Sequence, residues 1–114
     1  MVYESAAHLF SKLERAKFSG DPDARQEAEK YTACDLLIVD DLGTEMGGQF
    51  VTAALYILIN DRILAGKPTI ISTNLTNEDL EKRYSPQIVS RLRGVYQRVV
   101  FVGEDIRVKK NWGL

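Results

Sequence analysis

Four consecutive apolar residues followed at once by two carboxylates constrain the fold more than any other segment. Residues 36–39, Leu-Leu-Ile-Val, lead directly into Asp40 and Asp41. An unbroken apolar run of this length predicts a strand that is buried on both faces, as in the middle of a parallel sheet. Ligands of an open parallel sheet bind beyond the carboxyl ends of its strands. The sequence therefore predicts that Asp40 and Asp41 lie at a ligand-binding edge.

The remaining segments alternate between strand and helix patterns. Predicted strands are residues 1–3, 36–39, 69–73 and 99–102. Predicted helices are residues 5–18, 21–30, 50–65 and 85–93, and a further short helix opens at Thr76. Such alternation is typical of an α/β protein with a parallel sheet. At 114 residues there is room for one domain.

Bulk composition excludes several classes of protein. No apolar run approaches the roughly 20 residues of a membrane helix, and no secretory signal is present. The single cysteine, Cys34, cannot form an internal disulfide, so we expect a cytoplasmic protein without membrane partners. Residues 1–57 carry five basic and ten acidic side chains, whereas residues 58–114 carry ten and six. The basic half suits an anionic partner, although a solvated mixed-charge surface is the simpler explanation.

The acidic pair is the strongest candidate for chemistry. Adjacent carboxylates at Asp40 and Asp41 repel one another unless a cation compensates, and Mg²⁺ is held by one or two carboxylates with waters and phosphates. The alternative is a strand that stops at a polar turn before Gly43. Asn74 follows the strand at residues 69–73 and would reach the same edge. Its amide can orient a water or bind a phosphate oxygen, or it can be a simple turn residue.

Four segments, in order along the chain, resemble motifs of the DnaC/IstB-type AAA+ ATPases. Residues 34–45 (CDLLIVDDLGTE) resemble the Walker B segment, and residues 71–75 (ISTNL) resemble the strand that carries sensor 1. Residues 88–92 (IVSRL) resemble the helix of the arginine finger, and residues 103–107 (GEDIR) resemble the segment of sensor 2. The resemblance implies a partial P-loop NTPase domain over residues 1–114, a three-layer α/β sandwich around a parallel sheet.

The resemblance also implies a role for each matching residue, with ATP and Mg²⁺ as cofactors. Asp40 would hold Mg²⁺, Asp41 would polarise the attacking water, and Asn74 would sense the γ-phosphate. Arg91 would reach the nucleotide of a neighbouring subunit, and Arg107 would contact the nucleotide of its own subunit. The alternatives are a surface arginine on a helix for Arg91 and an ion-pair partner for Arg107.

One motif of the family is missing from this sequence. No Gly-x-x-x-x-Gly-Lys-Ser/Thr occurs, and the segment 66–68 (GKP) ends a helix instead of joining a strand to one. We therefore expect a fragment of the AAA+ core from which the first strand and the phosphate loop are absent. We expect it to be inactive alone and to self-associate through exposed sheet edges or the Arg91 helix.

The function implied by the resemblance is ATP-dependent loading of the replicative helicase onto DNA. Single-stranded DNA would be a partner, bound by basic side chains that include Arg93, Arg98, Lys109 and Lys110. A transposition-helper ATPase of the IstB kind and a non-enzymatic subunit-interaction module are the alternatives. A phosphorylated receiver domain is disfavoured, because Asn74 stands where that domain needs a further aspartate.

Overall fold

The structure is a computed structural model and describes residues 1–95. Within this range the elements are β1 (Val2–Ser5), α1 (Ala6–Phe18), α2 (Pro22–Ala33), β2 (Leu37–Leu42), α3 (Gln49–Leu64), β3 (Thr69–Thr73), α4 (Asn77–Arg83) and α5 (Pro86–Val95). The predicted strand at residues 99–102 lies outside the described residues. None of the helices in the described range is long and apolar enough to cross a membrane.

The three strands form a parallel sheet in the order β1-β2-β3. Leu37 of β2 is in register with Val2 on one side and with Thr69 on the other. The predicted α/β class and parallel sheet are confirmed, and β2 is the central strand of the described sheet. Because all three strands point the same way, Asp40 and the end of β3 meet at one edge.

The two faces of the sheet differ in how well they are covered. Leu37 and Val39 point into the helical layer and are 0% and 1% exposed. On the opposite face Tyr3 and Ile70 are 60% and 53% exposed, and Ile38 between them is half-buried. The described residues thus contain two layers, and β2 is covered completely on one face rather than on both. The apolar run of β2 correctly predicted a central strand. It also predicted burial on both faces, whereas within residues 1–95 helices cover one face.

Helix starts follow the predicted capping chemistry. Asp21 accepts a hydrogen bond from the backbone N–H of Asp23, with Pro22 at the first helical position. Thr76 accepts one from the backbone N–H of Asp79 at 3.1 Å. Each side chain satisfies a backbone donor that the helix leaves free, so these boundaries are encoded locally.

Arg62 in α3 is completely buried, yet no carboxylate bonds to it within the described residues. Its Nε donates to Thr69 Oγ1 at 2.7 Å, and its Nη2 donates to the carbonyl oxygen of Pro68 at 2.8 Å. Its Nη1 lies near three carbonyl oxygens at the end of α2, those of Tyr31, Thr32 and Cys34, at 2.9, 3.1 and 2.9 Å. A helix carries partial negative charge at its C-terminus, so the end of α2 stabilises the buried cation. Arg62 therefore joins α2, α3 and the start of β3.

Substituting Arg62 with lysine tests whether geometry or charge holds this junction. An ammonium group has three donors and cannot reach all of the oxygens that the planar guanidinium serves. We expect Arg62→Lys to lower the free energy of unfolding by about 3 kcal/mol because buried carbonyls lose their donors. Urea denaturation followed by circular dichroism measures the loss, and Arg25→Lys on the exposed surface of α2 is the matched control. Equal stability of the two variants would contradict the assignment.

Candidate functional site

An irregularity at the end of β2 turns Asp41 away from the core, so that it joins Asp40, which already faces away from it. Val39 and Leu42 are each 1% exposed, and the β2–β3 register shifts between them. A regular strand would point Asp41 inward with Val39, because side chains alternate between faces. Asp41 instead adopts φ 59°, a left-handed conformation that aspartate tolerates better than most residues. The extra residue of the bulge thus leaves two carboxylates side by side at the sheet edge.

Asp40 is hydrogen-bonded to both neighbouring strands. Its Oδ1 accepts from Ser72 Oγ of β3 at 2.6 Å, and its Oδ2 accepts from the Tyr3 hydroxyl of β1 at 2.8 Å. The bond from Ser72, and then the one from Tyr3, hold the pKa of Asp40 below its ordinary value, against the opposing effect of partial burial. Asp40 is therefore an ionised, fixed carboxylate at neutral pH.

Hydrogen bonds to its backbone hold Asp41 in place and leave its carboxylate free. The Asp41 N–H donates to Ser72 Oγ at 2.9 Å, and the Asp41 carbonyl accepts from the N–H and hydroxyl of Thr44 at 3.2 and 2.8 Å. Within residues 1–95 its exposed carboxylate has no hydrogen-bonding partner. It is thus the more accessible of the two acids.

Asn74 follows β3 at the same edge of the sheet. Thr73 is buried and donates its hydroxyl to the carbonyl oxygen of Leu42 at 2.6 Å, which ties the end of β3 to the end of β2. Asn74 is exposed directly after it. Nearby, Gly43 has φ 107°, a conformation that residues with a Cβ rarely adopt, so this position favours glycine; an added Cβ would also displace the Leu75 side chain. The structure therefore brings Asp40, Asp41 and Asn74 to one edge.

The loop that follows the acidic pair contains a buried carboxylate, Glu45, whose side chain is 3% exposed. One carboxylate oxygen accepts from the Gly43 N–H at 2.9 Å, and the other accepts from Arg83 Nε at 3.3 Å and from the Tyr84 hydroxyl. Burial and the bond to Glu45 raise the pKa of Tyr84, so its hydroxyl keeps the proton that it donates. We call Glu45, Arg83 and Tyr84 the Glu45 clamp. It fastens the loop after β2 to the junction between α4 and α5.

Arg91 lies on α5 against α3 rather than at the acidic edge. Its Nη2 donates to Asn60 Oδ1, and its buried Nε has no hydrogen-bonding partner within the described residues. Arg107, the other predicted arginine, lies outside the described residues.

The donor set at the sheet edge fits a hard divalent cation that also binds phosphate. Residues 1–95 contain no cluster of three or more acidic, histidine or cysteine side chains able to enclose a metal alone. Mg²⁺ does not need such a cluster, because it keeps several waters and binds one or two carboxylates together with phosphate oxygens. Among the described residues, each Asp40 oxygen accepts one hydrogen bond from a side chain and retains a lone pair for a cation. The site therefore offers the kind of oxygen donors that a magnesium–phosphate centre requires of a protein.

Comparison with known proteins identifies the family. The model of the IstB-like ATP-binding proteins matches residues 1–111. The chain belongs to that family. A crystal structure titled as a DNA replication initiation factor is similar to the chain, with 23% identity and a TM-score of 0.68 over 95% of the chain. The chain spans 33% of that protein's length, and the likeness shows the fold. A search of curated proteins gave no match.

These comparisons confirm the DnaC/IstB-type resemblance and the partial P-loop NTPase fold. The sequence analysis missed three residues of the site, Tyr3, Ser72 and Glu45. Ser72 was within reach, because it lies near the carboxyl end of the predicted strand that leads to Asn74. The hydrogen bonds Tyr3–Asp40 and Tyr84–Glu45 join residues that are 37 and 39 positions apart in the sequence, so no local pattern predicts them.

The Glu45 clamp predicts the effect of removing one hydroxyl group. Tyr84→Phe takes a donor from a buried carboxylate, and we expect the free energy of unfolding to fall by about 1–2 kcal/mol. Chemical denaturation measures the change. Tyr56→Phe, at a tyrosine that is 40% exposed on α3, is the control and should leave stability unchanged. If both variants unfold alike, Tyr84 does not stabilise Glu45.

Proposed function

We propose that the chain forms the magnesium-binding and water-activating side of an AAA+ module that binds and hydrolyses ATP. The observation that carries the proposal is the ionised Asp40 carboxylate held at the sheet edge beside Asp41 and Asn74. Membership of the IstB-like ATP-binding family supports ATP as the ligand. Hard carboxylate oxygens and an amide at one edge suit a metal-bound triphosphate.

Each residue has a distinct task in this proposal. When bound, Mg²⁺ and ATP supply the polarised γ-phosphoryl group. Asp40 holds the cation directly or through a water. Asp41, with its free carboxylate, orients a water and accepts its proton, and the exposed Asn74 amide contacts a γ-phosphate oxygen. Arg107 contacts the nucleotide of its own subunit, as proposed from the family motif alone.

The biological setting that we propose is loading of the replicative helicase onto DNA in the cytoplasm. The similar crystal structure is of a protein titled as a DNA replication initiation factor, which supports a replication role. The family description names IstB, which favours a transposition helper as the second candidate. For a helicase loader we propose single-stranded DNA as a partner. Of the four basic side chains predicted to bind it, Arg93 lies within the described residues and is exposed on α5.

Nucleotide binding tests the central proposal. We expect the chain, extended by a strand, a phosphate-binding loop and a helix, to bind a fluorescent ATP analogue only with Mg²⁺. The 114-residue chain should bind it far more weakly, because no such loop occurs in its sequence. Asp40→Asn in the extended version should raise the Kd at least about tenfold, since it removes the charge that holds the cation.

Asp35→Asn is the matched control for this measurement. Asp35 precedes β2, at the end opposite to Asp40, and its side chain is 96% exposed. Its substitution should leave the Kd unchanged. Tight Mg²⁺-dependent binding by Asp40→Asn would exclude Asp40 as the cation ligand.

The proposed role of Arg91 requires it to act across a subunit interface. Its position on α5, bonded to Asn60 of α3, is compatible with action in trans. We propose that it leaves Asn60 and stabilises charge on the nucleotide of a neighbouring copy. Self-association of the chain through α5 follows from that role.

A subunit-mixing experiment tests action in trans. In the extended version, Arg91→Ala lacks the finger and Asp40→Asn lacks the metal ligand, so each alone should hydrolyse ATP about a thousandfold more slowly. A mixture should regain measurable turnover, because the Asp40→Asn subunit supplies Arg91 to the intact site of the other. Gln87→Ala, exposed on the same helix and without a proposed role, is the control. Failure of the mixture to recover would exclude a trans role.

A further inference from the structure

We propose that Ser72 is a positioning residue that holds both members of the acidic pair in the geometry needed for the divalent cation. This inference rests on the proposed function, because it assigns to Asp40 the cation that the ATP site requires. It adds a residue that is neither a metal ligand nor in contact with nucleotide.

One hydroxyl group serves both acids. Ser72 Oγ donates its proton to Asp40 Oδ1 at 2.6 Å and accepts the Asp41 N–H at 2.9 Å. A hydroxyl has one proton and two lone pairs, so the two bonds are compatible and fix its rotamer. Ser72 is half-buried in β3, a strand whose register with β2 is set on both sides of the bulge. The hydroxyl is therefore held by rigid elements.

The bond to the Asp41 N–H acts on the bulge itself. A left-handed φ of 59° is unfavourable for a residue with a Cβ, and it persists where the surroundings hold it. Ser72 from β3 accepts a hydrogen bond from the Asp41 N–H, and Thr44 from the following loop donates one to the Asp41 carbonyl oxygen. Without the Ser72 hydroxyl the Asp41 N–H loses its partner in β3, and the direction of the Asp41 carboxylate is no longer set.

The bond to Asp40 acts on the carboxylate that meets the cation. Partners of this kind orient a ligating group, and their loss commonly weakens metal binding by 10–100-fold. Tyr3 provides an internal comparison, because its hydroxyl contacts Asp40 and has no bond to Asp41. Ser72 differs from it in joining the two acids, so its removal should affect both.

Mn²⁺ added to the isotopically labelled 114-residue chain tests the proposal without any need for catalysis. Paramagnetic broadening of the backbone amide signals of residues 40–43 and 72–74 gives the Kd for the ion. We expect Ser72→Ala to raise that Kd about tenfold and to accelerate hydrogen exchange of the Asp41 amide. Tyr3→Phe should raise the Kd less and leave the Asp41 exchange rate unchanged.

Two further variants guard against a folding defect. Ser72→Cys keeps a similar shape with a weaker donor and should give an intermediate Kd and exchange rate. Ser11→Ala, exposed on α1, should match the unsubstituted chain.

The outcomes separate the two proposals. If Asp40→Asn loses Mn²⁺ while Ser72→Ala and Ser72→Cys bind it like the unsubstituted chain, the positioning role is overturned and the proposed function stands. If Asp40→Asn binds Mn²⁺ undiminished, the proposed cation site is wrong and the role of Ser72 fails with it. Loss of affinity in Ser72→Ala with unchanged Asp41 exchange overturns the claim that one hydroxyl holds both acids.

Discussion

A buried guanidinium determines how the parts of this small domain are arranged. Arg62 serves oxygens at the end of α2 and at the start of β3 from a helix that packs on the sheet. A buried cation without a carboxylate is stable only if its donors are all satisfied, so these oxygens must stay in place together. They lie at the amino end of the sheet, and the strands that begin there end at the acidic pair. The alignment of the strands at the amino end of the sheet thereby determines which side chains meet at its carboxyl end.

The acidic edge is assembled from all three described strands. β1 contributes Tyr3, β2 contributes Asp40 and Asp41, and β3 contributes Ser72, so no two consecutive elements suffice. The bulge in β2 is the feature that makes an edge of the sheet into a site, because a straight strand would bury one carboxylate. The cost of the left-handed residue is offset by hydrogen bonds from β3 and from the loop that follows.

Much of this could be predicted from sequence because the signals are local. The apolar run before Asp40 indicates the central strand, and Asp21 and Thr76 cap helices within three residues of themselves. The positions of Asp40, Asp41 and Asn74 at one edge follow from parallel strands alone. The burial of Arg62 was not predicted, because an arginine in an apolar helix is expected to face solvent until its distant carbonyl partners are known. Ile70 lies in an apolar strand and is nevertheless 53% exposed, because the sequence of a strand does not reveal which elements will cover it.

The Glu45 clamp joins two parts of the chain that are far apart in the sequence. Glu45 bonds to the peptide two residues after Asp41 and, through Tyr84, to the turn that starts α5. The loop that follows the acidic pair and the start of the helix that carries Arg91 are therefore joined by hydrogen bonds to one buried carboxylate. If neighbouring copies meet through Arg91 as proposed, the orientation of this single helix would link the acidic edge of one copy to the nucleotide of the next.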